Sequence, residues 1–258
     1  MIPKTKFIFQ IIGRSGCGKS TLFRELQKDA ADFTLPDFVR NSQSFLYPYT
    51  TRPPRPEEES KPIEESGYHF VSDEEFDHLI SGDDPAITVI EHREYPVFQE
   101  NGKPATWRYA TILNPQDSIF KNDDSVEICY YANSLDGYLK SYQTIDIMTN
   151  YKTFGIYLQV DPTTLLYRCI DRELKKPSDK QNFKEVMRRF YGEQYQNYYG
   201  TIYERLDTMP IDCRTFDNGI STIDLNVFQK PYPEDMQPVL IAFYKKVYDI
   251  INAFYRNI

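Results

Sequence analysis

Residues 6–12 (KFIFQII) form an apolar run that stops at Gly13, which predicts a buried strand. Leu22, Phe23 and Leu26 then recur on one side of residues 20–29, predicting a helix. Residues 51–66 (TRPPRPEEESKPIEES) hold four prolines, five glutamates and little that is apolar, so they read as loop. Residues 68–71 predict a short strand, and Ser72 caps a helix over 73–80, with Glu75 placed to complete a capping box. Residues 87–94 are strand-like. Asn101-Gly102 falls between 97–99 and 107–111 as the tip of a hairpin. Further along, 126–131 predicts an apolar strand, 134–148 a helix and 153–160 a strand. Asp161-Pro162 opens another helix with proline in its first turn; residues 175–181 (KKPSDKQ) interrupt it, and a long helix resumes near Phe183. A last strand is expected at 211–216. In the tail 233–256, Val239, Leu240, Phe243, Val247, Ile250, Ile251 and Phe254 fall at helical spacing, giving a docking helix. Strands alternating with helices imply an α/β fold with a parallel sheet.

Composition narrows the setting. At 258 residues the chain is long for one domain and short for two, so one α/β core with a small inserted subdomain fits. A hydrophobic fraction of 40% with 26% charged residues suits a soluble globular protein. The net charge of −8 argues against polymeric nucleic acid or an anionic membrane as partner, since both are gripped by excess positive charge. A local basic pocket for a mononucleotide remains compatible. The 21 Tyr and 17 Phe read as packing rather than as a stacking platform for bases. Cys17, Cys129, Cys169 and Cys213 form no C-x-x-C pair, suit a reducing compartment and signal neither disulfide nor zinc. No stretch approaches the roughly 20 apolar residues needed to cross a bilayer. A cytoplasmic protein, monomeric or weakly dimeric, is expected.

The sharpest chemical signal lies between the first predicted strand and the first predicted helix. Gly13-Arg-Ser15-Gly16-Cys17-Gly18-Lys19-Ser20-Thr21 fits G-x-x-x-x-G-K-[ST]. Glycines let backbone N–H groups converge on phosphate oxygens, Lys19 reaches the β- and γ-phosphates, and the Ser20 hydroxyl ligates Mg²⁺. The helix N-terminus adds its partial positive charge at the same point. This pattern implies a nucleoside triphosphate without specifying the reaction.

The reaction class comes from the loop that composition alone assigns to a solvated linker. Thr50-Thr51-Arg52-Pro-Pro-Arg55-Pro-Glu-Glu58 is followed by Gly67-Tyr68-His69-Phe70-Val71-Ser72 and an acidic helix start. Two arginines three apart in a proline-stiffened loop can converge on one dianionic phosphate. Over roughly residues 5 to 190 the chain resembles the guanylate kinase family, whose signature runs T-T-R-x-P-R-x-G-E and then Y-x-F-V-[ST]. The resemblance implies a P-loop core of 1–46 and 112–258 around a parallel sheet, a β-rich GMP-binding subdomain of 47–111, and a helical lid near 172–189. It implies that Arg52, Arg55, Tyr68 and Tyr109 hold the acceptor phosphate, and that Glu91 and Thr111 read guanine. A carboxylate with a hydroxyl matches guanine chemically, because guanine offers two donors beside one acceptor. It further implies that lid arginines neutralise the transferring phosphoryl group. Arg189 matches the family's helix arginine best, and Arg172 is the second candidate beside Arg168, Arg188, Lys175 and Lys176.

The expected reaction is in-line transfer from MgATP to GMP, giving ADP and GDP, driven by positioning and charge neutralisation. Departures from the family pattern are specific. Pro48 replaces a serine, Glu57 replaces the signature glycine, and insertions fall at 59–66 and 100–106. The strand at 126–131 continues Ala132-Asn133-Ser134 where the family has aspartates, the next acid being Asp136. Two alternatives accompany the main reading: a kinase with a different acceptor, such as dGMP or another phosphorylated small molecule, and a non-catalytic binding module.

Overall fold

The computed structural model describes residues 6–32, 43–56, 58–99, 102–113, 128–148, 151–191, 220–227 and 236–256. In chain order the first elements are β1 (Lys6–Ile12), α1 (Lys19–Asp32), β2 (Gln43–Leu46), β3 (Tyr49–Thr50) and α2 (Ile63–Ser66). They are followed by β4 (His69–Phe70), α3 (Asp73–Ile80), β5 (Thr88–Phe98), β6 (Pro104–Leu113) and β7 (Ile128–Ala132). Then come α4 (Leu135–Met148), β8 (Tyr151–Gln159), α5 (Pro162–Leu174), α6 (Phe183–Tyr191), β9 (Ile220–Asp224) and α7 (Gln237–Arg256). A 3₁₀ turn at Ser178–Lys180 separates α5 from α6.

The fold is α/β. Five strands form a parallel sheet in the order β2-β7-β1-β8-β9, with β1 at its centre. Both faces of β1 are covered, which is why its sequence is continuously apolar instead of alternating. Phe7, Phe9 and Ile11 face a core shared with Leu22, Phe23 and Leu26 of α1, Leu165 of α5, and Leu240 and Phe243 of α7. Ile8 faces the other way, toward Leu46, Cys129, Tyr131 and Ile145. Ile12 packs with Leu135, Tyr138 and Tyr157. Each fully buried Phe, Leu or Ile here stabilises the fold by roughly 1.5–3 kcal/mol.

The second sheet has four strands in the order β4-β3-β6-β5, with β3 parallel to β4 and antiparallel to β6, and β5 antiparallel to β6. Its β5 runs further than the sequence pattern predicts, through Pro96 to Phe98. The proline is tolerated because β5 is an edge strand and needs no ladder donor there. Phe76 of α3 packs against Ala110 and Ile112 on this sheet. Ile90 and Leu113 join Cys129 and Tyr131, tying the smaller sheet to the larger.

Capping follows the sequence closely. Ser72 accepts from Glu75 N at 3.1 Å while the Glu75 carboxylate accepts from Ser72 N at 2.7 Å. Asp161 accepts from Thr164 N at 2.9 Å, with Pro162 in the first turn of α5. Two elements differ from expectation. The strand β2 is a four-residue edge strand that periodicity cannot separate from loop, and β9 lies at 220–224. The loop 51–66 also ends in the single turn of α2. The strand expected at 211–216 and most of the Tyr-rich segment 191–203 lie outside the described residues. No helix among the described residues is long and apolar enough to cross a membrane.

Candidate functional site

The loop from Gly13 to Gly18 leaves the central strand and enters α1. Gly16 and Gly18 adopt φ of 85° and 103°, conformations that side-chain-bearing residues rarely take. A Cβ on Gly16 would also fall 3.0 Å from the Cys169 thiol. Lys19 donates to the carbonyls of Gly13 at 2.6 Å and Arg14 at 3.0 Å, so its ammonium lies against its own loop. From outside, Arg168 of α5 donates to the carbonyls of Gly16 and Cys17 at 3.3 and 3.5 Å. That assigns Arg168 to supporting the loop.

The arginine pair is organised by one carboxylate. Glu58 accepts from Arg52 Nη1 at 2.8 Å and from Arg55 Nη1 at 3.4 Å, and its second bond to Arg55 comes from the backbone N at 2.8 Å. Arg52 is 4% exposed, lies over the rings of Tyr68 and Phe70, and has one terminal nitrogen without a hydrogen-bond partner. Burial lowers the Arg55 pKa, and the charges of Arg52, Arg172 and Arg189 push it further down against the pull of Glu58. Cations are crowded here more than their carboxylate relieves, and an arriving dianion would complete the balance.

These two groups open into one cavity of about 520 Å³. Gly13, Ser15, Lys19 and Ser20 line it from the loop, and Arg52, Arg55, Tyr68 and Tyr109 from the second sheet. Arg188 and Arg189 of α6 reach the same space, held by Glu185: Arg188 bidentately at 2.7 Å for both bonds, Arg189 through Nε at 2.8 Å. Six cationic side chains line the cavity against two carboxylates, Asp136 and Glu185, in a chain of net charge −8. Positive charge has been concentrated locally, which is what a polyanion requires. Gly16, Cys17, Gly18 and Thr21 do not line the cavity; they shape the loop and the helix start. Arg172, half-buried on α5, is also outside its lining.

Glu91 and Thr111 are paired across β5 and β6 and do not line the cavity either. Thr111 donates to Glu91 at 2.7 Å, and its hydroxyl lies 2.5 Å from that of Tyr131. Arg93 pairs with Glu91 through Nη1 and donates from Nη2 to Asn133 Oδ1 at 2.7 Å. Asn133 in turn donates to Gln10 of β1 at 2.8 Å, and Gln10 donates to Ser141 at 2.9 Å. Burial works against the Arg93 charge, but Glu91, Tyr95, Tyr131 and Asp136 together outweigh it and hold its pKa well above the ordinary arginine value. Beside this network Asp136 accepts from Tyr95 and Ser134, each at 2.5 Å.

Sequence reasoning missed Arg93, Tyr95, Trp107 and Glu185 as parts of this cavity. The signal for the first two was available. Residues two apart on a strand share a face, so Glu91, Arg93 and Tyr95 are aligned, opposite Thr111, Tyr109 and Trp107. No family model matches the chain, and a search of the curated proteins finds no match.

Proposed function

We propose that this chain is an ATP-dependent phosphotransferase of the guanylate kinase type, acting on a nucleoside monophosphate. The observation that carries the reading is one cavity with the Gly13–Ser20 loop at one side and, at the other, an arginine pair of which Arg52 is buried and Arg55 partly exposed. The loop takes the triphosphate of MgATP, and Arg52, Arg55, Tyr68 and Tyr109 hold the acceptor phosphate. Arg188 and Arg189 stand over both and neutralise charge as the phosphoryl group passes, the main task in such a reaction. Magnesium would enter with the triphosphate, as small hard cations commonly do, and the hydroxyl of Ser20, which lines the cavity, would supply a protein ligand. In this reading the second sheet is the acceptor subdomain, and the turn and α6 after α5 form the lid.

GMP is the acceptor that the resemblance implies. One observation bears on the base: Glu91 and Thr111 lie outside the cavity lining, engaged with Arg93 and Tyr131, while Glu91 Oε2 is buried without a hydrogen-bond partner. The test is ADP release with ATP, Mg²⁺ and each of the common monophosphates, comparing the unaltered protein with Lys19→Ala. Turnover that depends on both a monophosphate and Lys19 supports the reading. Turnover untouched by Lys19→Ala removes the phosphate loop from the chemistry, and tight monophosphate binding without ADP release identifies a binding module instead.

A further inference from the structure

Glu185 stands in the first turn of α6 and is 6% exposed. Its Oε1 accepts from Arg188 Nη2 at 2.7 Å and from Arg189 Nε at 2.8 Å. Its Oε2 accepts from Arg188 Nε at 2.7 Å and from the backbone N of Phe98 at 2.9 Å. Four bonds fill the roughly four lone-pair positions of a carboxylate, so Glu185 has nothing left to offer a substrate. Its guanidinium partners belong to its own helix, whereas the Phe98 bond comes from β5 of the second sheet. Asn182 repeats this join just before α6. Its Oδ1 accepts from Glu185 N at 3.1 Å, capping the helix, while Nδ2 donates to the carbonyls of Phe98 and Gln99. Its own N donates to buried Glu173 of α5 at 3.0 Å. Lys184 Nζ lies 3.9 Å from the centre of the Phe98 ring. The cavity-lining guanidiniums and the second sheet therefore share one anchor, and Arg189 extends it to Ser15 of the Gly13–Gly18 loop.

Resting on the phosphotransferase reading above, we infer that Glu185 is a positioning residue that joins α6 and the acceptor sheet into one body. The two nucleotides are then coupled. A triphosphate that draws Arg189 onto its loop also sets Arg52 and Arg55 for the monophosphate, and the reverse follows by linkage.

The sole tryptophan, Trp107, lines the cavity, so its emission reports monophosphate binding without transfer. GMP, AMP, CMP and UMP are titrated in turn and checked by equilibrium dialysis. The tightest binder is titrated again with saturating Mg²⁺ and adenylyl imidodiphosphate, an ATP analogue that does not give up its phosphoryl group. The analogue is expected to tighten monophosphate binding by roughly fivefold or more, the lower end of ordinary coupling between sites. Glu185→Gln keeps the side-chain shape but puts an amide where two N–H donors need an acceptor. It brings that factor to within roughly twofold of one, while monophosphate affinity without the analogue stays within roughly threefold. A role confined to folding would lower the Tm and leave the factor of the folded protein unchanged. Should that variant fail to fold, Asn182→Asp keeps the cap on Glu185 N but turns a carboxylate toward the Phe98 and Gln99 carbonyls, and it lowers the factor in the same direction. A factor within roughly twofold of one in the unaltered protein, or one that survives these changes, overturns the inference and leaves the phosphotransferase reading standing. If no monophosphate binds and none is turned over with ATP, that reading fails and takes the inference with it.

Discussion

Arg189 Nη1 donates to Ser15 Oγ at 3.3 Å, joining α6 to the phosphate loop across 174 positions of sequence. The Glu185 carboxylate fixes the guanidinium from behind at 2.8 Å. Arg189→Ala leaves the loop, Arg52 and Arg55 in place but removes a cation from the path that the proposed transfer takes. The turnover number for ADP release is expected to fall by roughly 10²–10³, with monophosphate affinity, read from the emission of the cavity-lining Trp107, nearly unchanged. A turnover within a few-fold of the unaltered protein would exclude Arg189 from the chemistry.

Arg52 makes the opposite split. It is buried and oriented by Glu58, and in the proposed reaction it holds the acceptor and takes no part in the transfer itself. Arg52→Ala is expected to raise the acceptor KM by roughly 10²-fold with a smaller change in turnover, as loss of a charge-assisted bond to a ground-state phosphate requires. A change confined to turnover would place Arg52 in the transition state instead.

Glu58 supplies a pH signature. Burial alone would raise its pKa, but the hydrogen bond and charge of Arg52, aided by Arg55, hold it below the ordinary value of 4.5. A carboxylate depressed in the fold stabilises that fold fully above the ordinary value, and the contribution is lost as pH falls through the lowered one. The Tm difference between the unaltered protein and Glu58→Gln is therefore largest near neutrality and shrinks on acidification below about pH 4.5. A difference that stays constant through that range would show that Glu58 is not ionised in the fold.

Gly137 inverts an ordinary expectation. In an exposed helix, glycine to alanine stabilises by about 1 kcal/mol. Here the added methyl would sit 2.3 Å from Asn133 Oδ1 and 2.5 Å from Arg93 Nη1. Gly137→Ala is expected to destabilise by roughly 1–3 kcal/mol, as overpacking does, measured by urea unfolding. A stabilised variant would mean that the Arg93 network can give way without loss.

The Asn182 amide donates to the carbonyls of Phe98 and Gln99 at 2.6 and 2.8 Å, and Glu185 accepts from Phe98 N at 2.9 Å. The end of β5 is thereby strapped to α6. Asn182→Ala removes two of the three bonds and is expected to lower stability by roughly 1–3 kcal/mol, while raising amide exchange at the hairpin base. Unchanged exchange at Phe98 would show that the strap carries no load.

Legibility divided along physical lines. The placement of the Gly13–Thr21 motif was visible because its pattern is local: glycines, lysine and serine at fixed spacing between a strand and a helix. Arg52, Arg55 and Tyr68 were visible through a family resemblance, and the structure adds the carboxylate that orients the two arginines. Helix starts at Ser72 and Asp161 were readable because each depends on residues within four consecutive positions. Arg93 was not, since its role depends on Asn133 forty positions away and on the missing side chain of Gly137. The edge strand β2 escaped because four residues carry too little periodicity to outvote loop, and its pairing with β7 is set elsewhere in the chain.

The two sides of the cavity rest on unequal foundations. The Gly13–Gly18 loop hangs from the centre of a five-stranded sheet covered on both faces, whereas the arginine loop hangs from β3 and β4, strands of two residues each. Heating should therefore inactivate the protein in two stages. In the proposed phosphotransferase, acceptor capture fades first, while the Gly13–Gly18 loop keeps its shape until the main sheet melts. Warmed to just below its transition, such an enzyme would still hold its triphosphate after losing its second substrate.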